Sequence, residues 1–230
     1  MNKILTTLVV IGLTTFSANA LEKSDFSITA GIAANSAVYG ASAKETNRAE
    51  DNTVKSIKNE SGVFTDSHES GFLELNAGPY VSIGYEHTPD SISTPEAKAR
   101  ENTAVETKVQ VDFNDLNIAY LKLNIPGGVY LKAGIVETDL DIKETTAGTS
   151  AYKNVSTEGT ILGIGYNRAL GDSPMSIRVE GSYMQLDDVT TDNGVTASGG
   201  SSANGGQNKI DASNLEGLNG KIALTFTLGK

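Results

Sequence analysis

Lys221-Ile222-Ala223-Leu224-Thr225-Phe226-Thr227-Leu228-Gly229 alternates bulky apolar side chains with small, polar or charged ones at every second residue. Successive side chains of a β-strand point to opposite faces, so this stretch reads as a strand with one oily face. That face can be buried on a protein core or on lipid. The same period recurs at Val81-Ile83-Tyr85, Val129-Leu131-Ala133-Ile135, Leu162-Ile164-Tyr166 and Met175-Ile177-Val179-Gly181-Tyr183, and more weakly at Ile28-Ala30-Ile32.

Composition favours lipid. Twenty-four glycines and no tryptophan in 230 residues supply little for a large soluble core, which needs bulky apolar side chains pointing inward. A small membrane barrel has the opposite economy: its outside is apolar, while its narrow lumen takes Gly, Ser and paired charges. No later segment approaches the run of about 18 to 20 apolar residues that a membrane helix requires.

The first twenty residues read as a secretory signal: Lys3, an apolar stretch from Ile4 to Phe16, and Ala18-Asn19-Ala20 as the cleavage site. The expected organisation is therefore a signal peptide over 1–20 and one barrel domain over 21–230. With the signal removed, 17 basic side chains face 28 acidic ones, a balance that argues against nucleic acid as a partner. The absence of cysteine excludes disulfides and thiolate metal sites.

Three connections carry tight-turn chemistry: Asn76-Ala77-Gly78-Pro79, Pro126-Gly127-Gly128 and Leu170-Gly171-Asp172-Ser173-Pro174. They alternate with long polar stretches at about Lys44–Ser61, Thr88–Asn102, Glu144–Thr157 and Asp188–Asn208. Thr94-Pro95-Glu96-Ala97-Lys98-Ala99-Arg100 in the second stretch permits one short helix, with Thr94 as N-cap and Pro95 at the first helical position. Eight strands result, roughly 26–40, 63–75, 80–88, 104–125, 129–143, 158–168, 175–187 and 209–229. The fold class is all-β: a transmembrane up-and-down antiparallel β-barrel of eight strands, with both termini at the short-turn, periplasmic end. Strand four breaks its own alternation, since Leu116 and Ile118 lie out of phase with Val111, Phe113, Leu121 and Leu123. Either a bulge at Asn114-Asp115 flips the register, or that stretch stands above the bilayer.

Ser82-Ile83-Gly84-Tyr85-Glu86, Leu162-Gly163-Ile164-Gly165-Tyr166, Arg178-Val179-Glu180-Gly181-Ser182-Tyr183 and the alternating last strand resemble small bacterial outer-membrane β-barrels of the eight-stranded OmpA-transmembrane, OmpX and opacity-protein type. The resemblance spans the mature chain and is one of pattern. It implies a Gram-negative outer-membrane location, contact with lipopolysaccharide, passage through the outer-membrane insertion machinery, and a monomer. It also implies a periplasmic aromatic belt, for which Phe26, Tyr80, Tyr120, Tyr130, Tyr166 and Phe226 are the available residues. Members of such families close on an aromatic residue; Lys230 stands here instead, with Phe226 the last aromatic.

The polar faces direct Glu86, Lys122, Lys132, Arg178, Glu180 and Lys221 into the lumen, where an eight-stranded barrel has room only for side chains. An unpaired charge there is costly, so a network of ion pairs filling the lumen is the expectation; a gated ion path is the alternative. His87 beside Glu86, Ser91 and Ser93 is the one candidate base for rim catalysis, yet no histidine–serine pairing of the kind a lipid deacylase uses is present. Asp66-x-His68-Glu69 offers metal-ligand chemistry or a solvated loop. Asp139, Asp141, Asp187 and Asp188 mark strand ends, either as divalent-cation ligands shared with lipopolysaccharide or as solvated charge. Gly163-x-Gly165 sits inside a strand pattern and opens no helix, so it is not a phosphate loop, and no cofactor is indicated. The function expected is structural or surface-interactive, through loops on a rigid barrel, without enzyme activity. The alternatives are a small porin or a soluble secreted β-barrel or sandwich binding protein. The sequence names no ligand for the loops.

Overall fold

The computed structural model describes residues 26–49, 51, 53–102, 105–145, 152–195 and 207–229. The candidate signal segment lies outside them. Eleven strands follow in order: β1 (Phe26–Arg48), β2 (Val54–Ala77), β3 (Val81–Thr88), β4 (Ile92–Ser93), β5 (Ala97–Asn102), β6 (Val105–Asn124), β7 (Val129–Thr145), β8 (Val155–Ala169), β9 (Met175–Leu186), β10 (Val189–Asp192) and β11 (Lys209–Leu228). Eight of them form an antiparallel ring, β1-β2-β3-β6-β7-β8-β9-β11, which closes when β11 pairs back onto β1. Closure leaves no edge within the ring, the condition for a sheet to cross a membrane. The three short strands belong to the rim: β4 and β5 extend the wall along β6, and β10 pairs with β11.

The burial pattern decides which solvent the oily face meets. In β2, Leu73 and Leu75 are exposed, while Phe72 and Glu74 between and beside them are buried. In β11, Ile222 and Leu224 point out, and Lys221, Ala223 and Thr225 point in. This is a sheet turned inside out, with its apolar girdle on the exterior, and it excludes a soluble sandwich or lipocalin-like binder. The girdle ends at a ring of outward polar side chains: Glu69, His87, Asn117, Glu137, Glu158, Gln185 and Glu216. The register carries that ring from strand to strand, with His87 opposite Asn117, Asn117 opposite Glu137, Glu137 opposite Glu158, and Gln185 opposite Glu216.

Beyond the ring, the barrel continues and its polarity inverts. Tyr39, Ile92, Leu116, Leu186 and Leu215 inside join Ala37, Ile118, Val136, Ile161 and Met184, which lie level with the ring or just below it, in one apolar cluster packed by Phe64, Phe113, Val189 and Ala212. Two bulges accompany the change. On β6 the register shifts between Asn114 and Asn117, with Asp115 at φ 50°; on the β1–β11 ladder it shifts between Gly40 and Ser42, opposite Asn214 at φ 53°. Aspartate and asparagine tolerate this left-handed conformation because their short polar side chains bond locally. Each bulge turns a following leucine inward, Leu116 or Leu215, while Phe113 and Ala212 on its other side also reach the core. The strands β6 and β11 stand diametrically opposite in the ring. Both explanations open for the phase break in strand four are met: the bulge is present, and it lies on the rim side of the polar ring at Asn117.

Several expected boundaries move. The stretch at about Lys44–Ser61 is mostly strand, since β1 runs to Arg48 and β2 starts at Val54, paired in one ladder whose register shifts only between Asn47 and Arg48. No helix forms at Thr94–Arg100. Thr94 donates its backbone N–H to Val111 and accepts a bond from Val111 N–H at its hydroxyl, both at 2.9 Å, and Ala97 to Arg100 pair with β6. Sheet partners thus satisfy the backbone that a single isolated turn would leave open. Phe26, Tyr80, Tyr166 and Phe226 are exposed near the short-turn end, as a belt requires. Tyr120 and Tyr130 are not in it; both are buried in the lumen because they share the phase of Lys122 and Lys132.

Four inward aromatic rings each lie over a glycine directly opposite on the neighbouring strand: Phe72 over Gly31, Tyr120 over Gly84, Tyr130 over Gly165 and Tyr39 over Gly217. A Cβ on any of these glycines would meet the ring. Gly165→Ala is therefore expected to cost about 1–3 kcal/mol through overpacking against Tyr130 and the Val179 carbonyl. The lipid-facing Gly181→Ala, which meets nothing within 4 Å, should stay within about 0.5 kcal/mol of the wild type. Urea unfolding in lipid vesicles measures both.

Candidate functional site

Alternation within the girdle directs one polar set to the axis, and the narrow lumen forces its members together. The structure places Glu86 on β3, Lys122 on β6, Lys132 on β7, Arg178 and Glu180 on β9, and Lys221 on β11, all inward and buried. Glu74 on β2 joins them. Four cations thus meet three carboxylates, drawn from six of the eight ring strands.

They divide into two groups. Toward the short-turn end, Glu74 accepts two bonds from Arg178, Nη1 to Oε1 at 2.7 Å and Nη2 to Oε2 at 2.9 Å, and one from Lys122 Nζ at 2.5 Å. The Tyr120 hydroxyl donates to the same carboxylate at 2.9 Å. Toward the long-loop end, Glu86 takes Lys221 at 2.6 Å, Lys132 at 3.5 Å and the Ser70 hydroxyl at 2.7 Å. Glu180 takes Lys132 at 2.5 Å, Lys221 at 3.3 Å and the Tyr130 hydroxyl at 2.8 Å. The second group is charge-balanced, and the first carries the surplus cation.

The aromatic rings fill the space between the groups and face the cations. Lys122 Nζ lies 5.5 Å from the Tyr130 centroid and Lys132 Nζ 4.9 Å from that of Tyr120. The Arg178 guanidinium stacks 5.0 Å from the Phe72 ring and 5.3 Å from the Tyr130 ring. Such contacts partly replace lost hydration. The alternation in the sequence gives six of the seven charges and misses Glu74, together with Tyr120 and Tyr130 as lumen residues. The signal was present: once Leu73 and Leu75 face lipid, Glu74 between them must face the axis.

The other candidates are dispersed by strand phase. His87 points outward at the polar ring, where its Nδ1 lies 2.8 Å from Asn117 Oδ1 and the Tyr85 hydroxyl donates to the same oxygen at 2.7 Å. Ser91 bonds Asn114 instead. His68 points inward while Glu69 points outward, so Asp66-x-His68-Glu69 is split between two faces. Among the described residues, no group of three or more His, Asp or Glu side chains is placed to hold a metal. Asp139 accepts from Ser156 at 2.6 Å, and Asp141 from Asn154 at 2.7 Å and Asn114 at 2.8 Å, so protein donors already occupy these carboxylates.

Among solved structures, the outer-membrane protein OprG of Pseudomonas aeruginosa aligns over 90% of this chain and 98% of its own, with 13% identity and a TM-score of 0.59. The outer-membrane protease OmpT of Escherichia coli aligns over 92% and 100%, with 12% identity and a TM-score of 0.45. Ail, the attachment invasion locus protein of Yersinia pestis, aligns over 86% and 99%, with 10% identity and a TM-score of 0.37. At 13% identity, the likeness to OprG is one of fold. No family model and no curated protein matches the sequence. The chain folds as an outer-membrane β-barrel.

Glu74 is the carboxylate on which the first group turns. Glu74→Ala leaves Lys122 and Arg178 buried without it, and is expected to cost about 3–5 kcal/mol in vesicle unfolding. Replacing Glu74, Lys122 and Arg178 together by apolar residues of similar volume should recover most of that loss.

Proposed function

We propose that this protein is an outer-membrane barrel with a closed lumen, whose role is carried by the wall that rises above the bilayer. The function is structural and surface-interactive: it holds a rigid β-scaffold in the envelope and presents its rim for adhesion or recognition. The observation that carries this reading is the ionic network itself. Seven charged side chains from six strands converge at the middle of the girdle, each paired, with the Tyr120, Tyr130 and Phe72 rings among them. An ion crossing this layer would have to break pairs between charges already removed from water. The absence of an assembled nucleophile and base around His87 is why a non-enzymatic role is preferred.

Export with cleavage after Ala20, insertion by the outer-membrane assembly machinery, lipopolysaccharide as the surrounding lipid and a monomeric state belong to the same proposal. The rim suits recognition because its β-structure is long. The β1–β2 ladder keeps one register from Phe26–Ala77 to Asn47–Ser56, well past the polar ring, and so presents rigid paired strands there.

Purified protein in planar bilayers is expected to show no stable single-channel steps. Ala substitution of both Lys132 and Lys221, which strips Glu86 and Glu180 of their cations, should introduce flickering current if the barrel remains folded. Steady ohmic openings in the wild type would replace this reading with a small porin.

A further inference from the structure

Above the polar ring the wall of the barrel has a seam. Strand β3 ends at Thr88, and the next residue, Pro89, has no N–H to give the neighbouring strand. The chain beyond it, β4 and β5, pairs with β6, while the upper part of β2 is paired to β1. Among the described residues, no strand pairs with the other edge of β2 between Val54 and Ser70. Strand β4 comes near that edge without pairing; continuing the β2–β3 register places Ile92 level with Asp66, so the stretch around Ile57 to Val63 lies above it.

The hydrogen-bond phase shows which residues face the seam. Asn124 donates its N–H to the Tyr80 carbonyl at 2.7 Å, so the even residues of β3 bond to β6 and its odd residues to β2. Odd residues of β3 lie opposite odd residues of β2, as Ile83 does Leu75. The β1–β2 register runs without a shift to Asn47–Ser56 and carries this phase along β2. Ile57, Asn59, Ser61 and Val63 therefore turn their backbone N–H and C=O to the seam, whereas Lys58, Glu60 and Phe64 turn theirs to β1. Proteins guard long sheet edges with proline, lysine or a bulge. Between Lys58 and Asp66 this edge has none of these, and its only charge is Glu60. It also carries apolar side chains on the water side of the ring: Val63 is 73% exposed and Ile57 52%.

We propose that this edge docks one extended segment of a partner polypeptide, which adds to β2 as an antiparallel strand and resumes the ladder that β3 leaves off. A polypeptide strand presents donors and acceptors at the spacing of the edge; a glycan or an acyl chain does not. The charges set the chemistry of the segment. Lys55 and Lys58 stand toward the tip of β2, and Glu60 and Asp66 stand nearer the membrane. A strand antiparallel to β2 starts at the membrane end, so the segment that fits is basic at its start, β-branched in its middle and acidic at its end. A second copy in the same membrane fits poorly. Two β2 strands descending together meet only in parallel, with the outer face of one sheet continuing the inner face of the other. The site deepens, and rests on, the reading of the rim as a recognition surface.

Backbone amide exchange, followed by NMR on the mature protein in lipid nanodiscs, tests this docking. In the free protein the amides of Ile57, Asn59, Ser61 and Val63 are expected to exchange at least about tenfold faster than those of Lys58, Glu60 and Phe64. The probe is a synthetic peptide of alternating threonine and valine, with lysines at its start and aspartates at its end. It should slow the four edge amides saturably, by about tenfold or more, and leave the β1-bonded ones unchanged. The same peptide with its edge-facing amides N-methylated, or with its charge order reversed, should bind at least about fivefold more weakly. Val63→Pro and, separately, Asn59→Pro each remove an edge-directed N–H and no bond to β1, and should weaken the peptide by about fivefold or more. Heat-modifiable migration in SDS gels identifies the variants that have folded. Edge amides already as slow as their neighbours would mean that the chain covers its own edge. Slowing with protein concentration alone would mean that a second copy does so. No saturable slowing, or equal binding by the altered peptides or the folded variants, would mean that no strand adds here. Each of these results overturns the proposal, whereas steady single-channel steps in planar bilayers bear only on the closed lumen.

Discussion

The strands of this barrel pass from hydrocarbon into water, and each residue's character follows from which of the two lies outside it. Within the girdle the exterior is lipid, so bulky apolar side chains point out and charges retreat to the axis. Above the polar ring the exterior is aqueous, and the interior turns apolar, with Ile92, Leu116, Leu186 and Leu215 inside. The hydrophobic effect acts in both halves, but the water has changed sides. The bulges at Asp115 and Asn214 stand near this crossing, one on each side of the ring, where a phase change lets a leucine enter the new core.

The lumen solves a packing problem at the same time as an electrostatic one. Eight strands leave an interior that side chains must fill, because a void there would forfeit contacts on every side. Long cationic side chains and aromatic rings fill it, and glycines opposite the rings let them lie against the wall. Buried ion pairs are weak evidence for stability, since desolvation offsets their attraction. What they provide here is consistency: each member is bonded to partners on other strands, so a slip of one residue in any ladder would turn a charge into lipid.

Much of this was legible in the sequence, and the limits are physical. The eight ring strands, the three short turns and six of the seven lumen charges follow from a period of two combined with Gly and Pro chemistry. Glu74 escaped because β2 is convincingly apolar only from Phe72 to Leu75, too short a run to fix its phase alone. Tyr120 and Tyr130 were assigned to the interfacial belt by residue type, although their phase with Lys122 and Lys132 put them in the lumen. The rim was hardest. Above the bilayer both faces of the β1–β2 hairpin meet water or only a partial core, so Lys44–Ser61 loses its alternation and reads as loop while pairing as sheet.

The crossing from lipid to water is the claim from which the rest follows, and a chain without native cysteine makes it directly measurable. Single cysteines carrying spin labels, placed at successive outward positions of β2 and β11 in reconstituted vesicles, report accessibility to oxygen and to a water-soluble nickel reagent. The account predicts oxygen-rich, nickel-poor environments at Leu73, Leu75, Ile222 and Leu224, changing to nickel-accessible ones at Glu69 and Glu216 and above. Nickel accessibility along the whole outer face, with no such crossing, would contradict it.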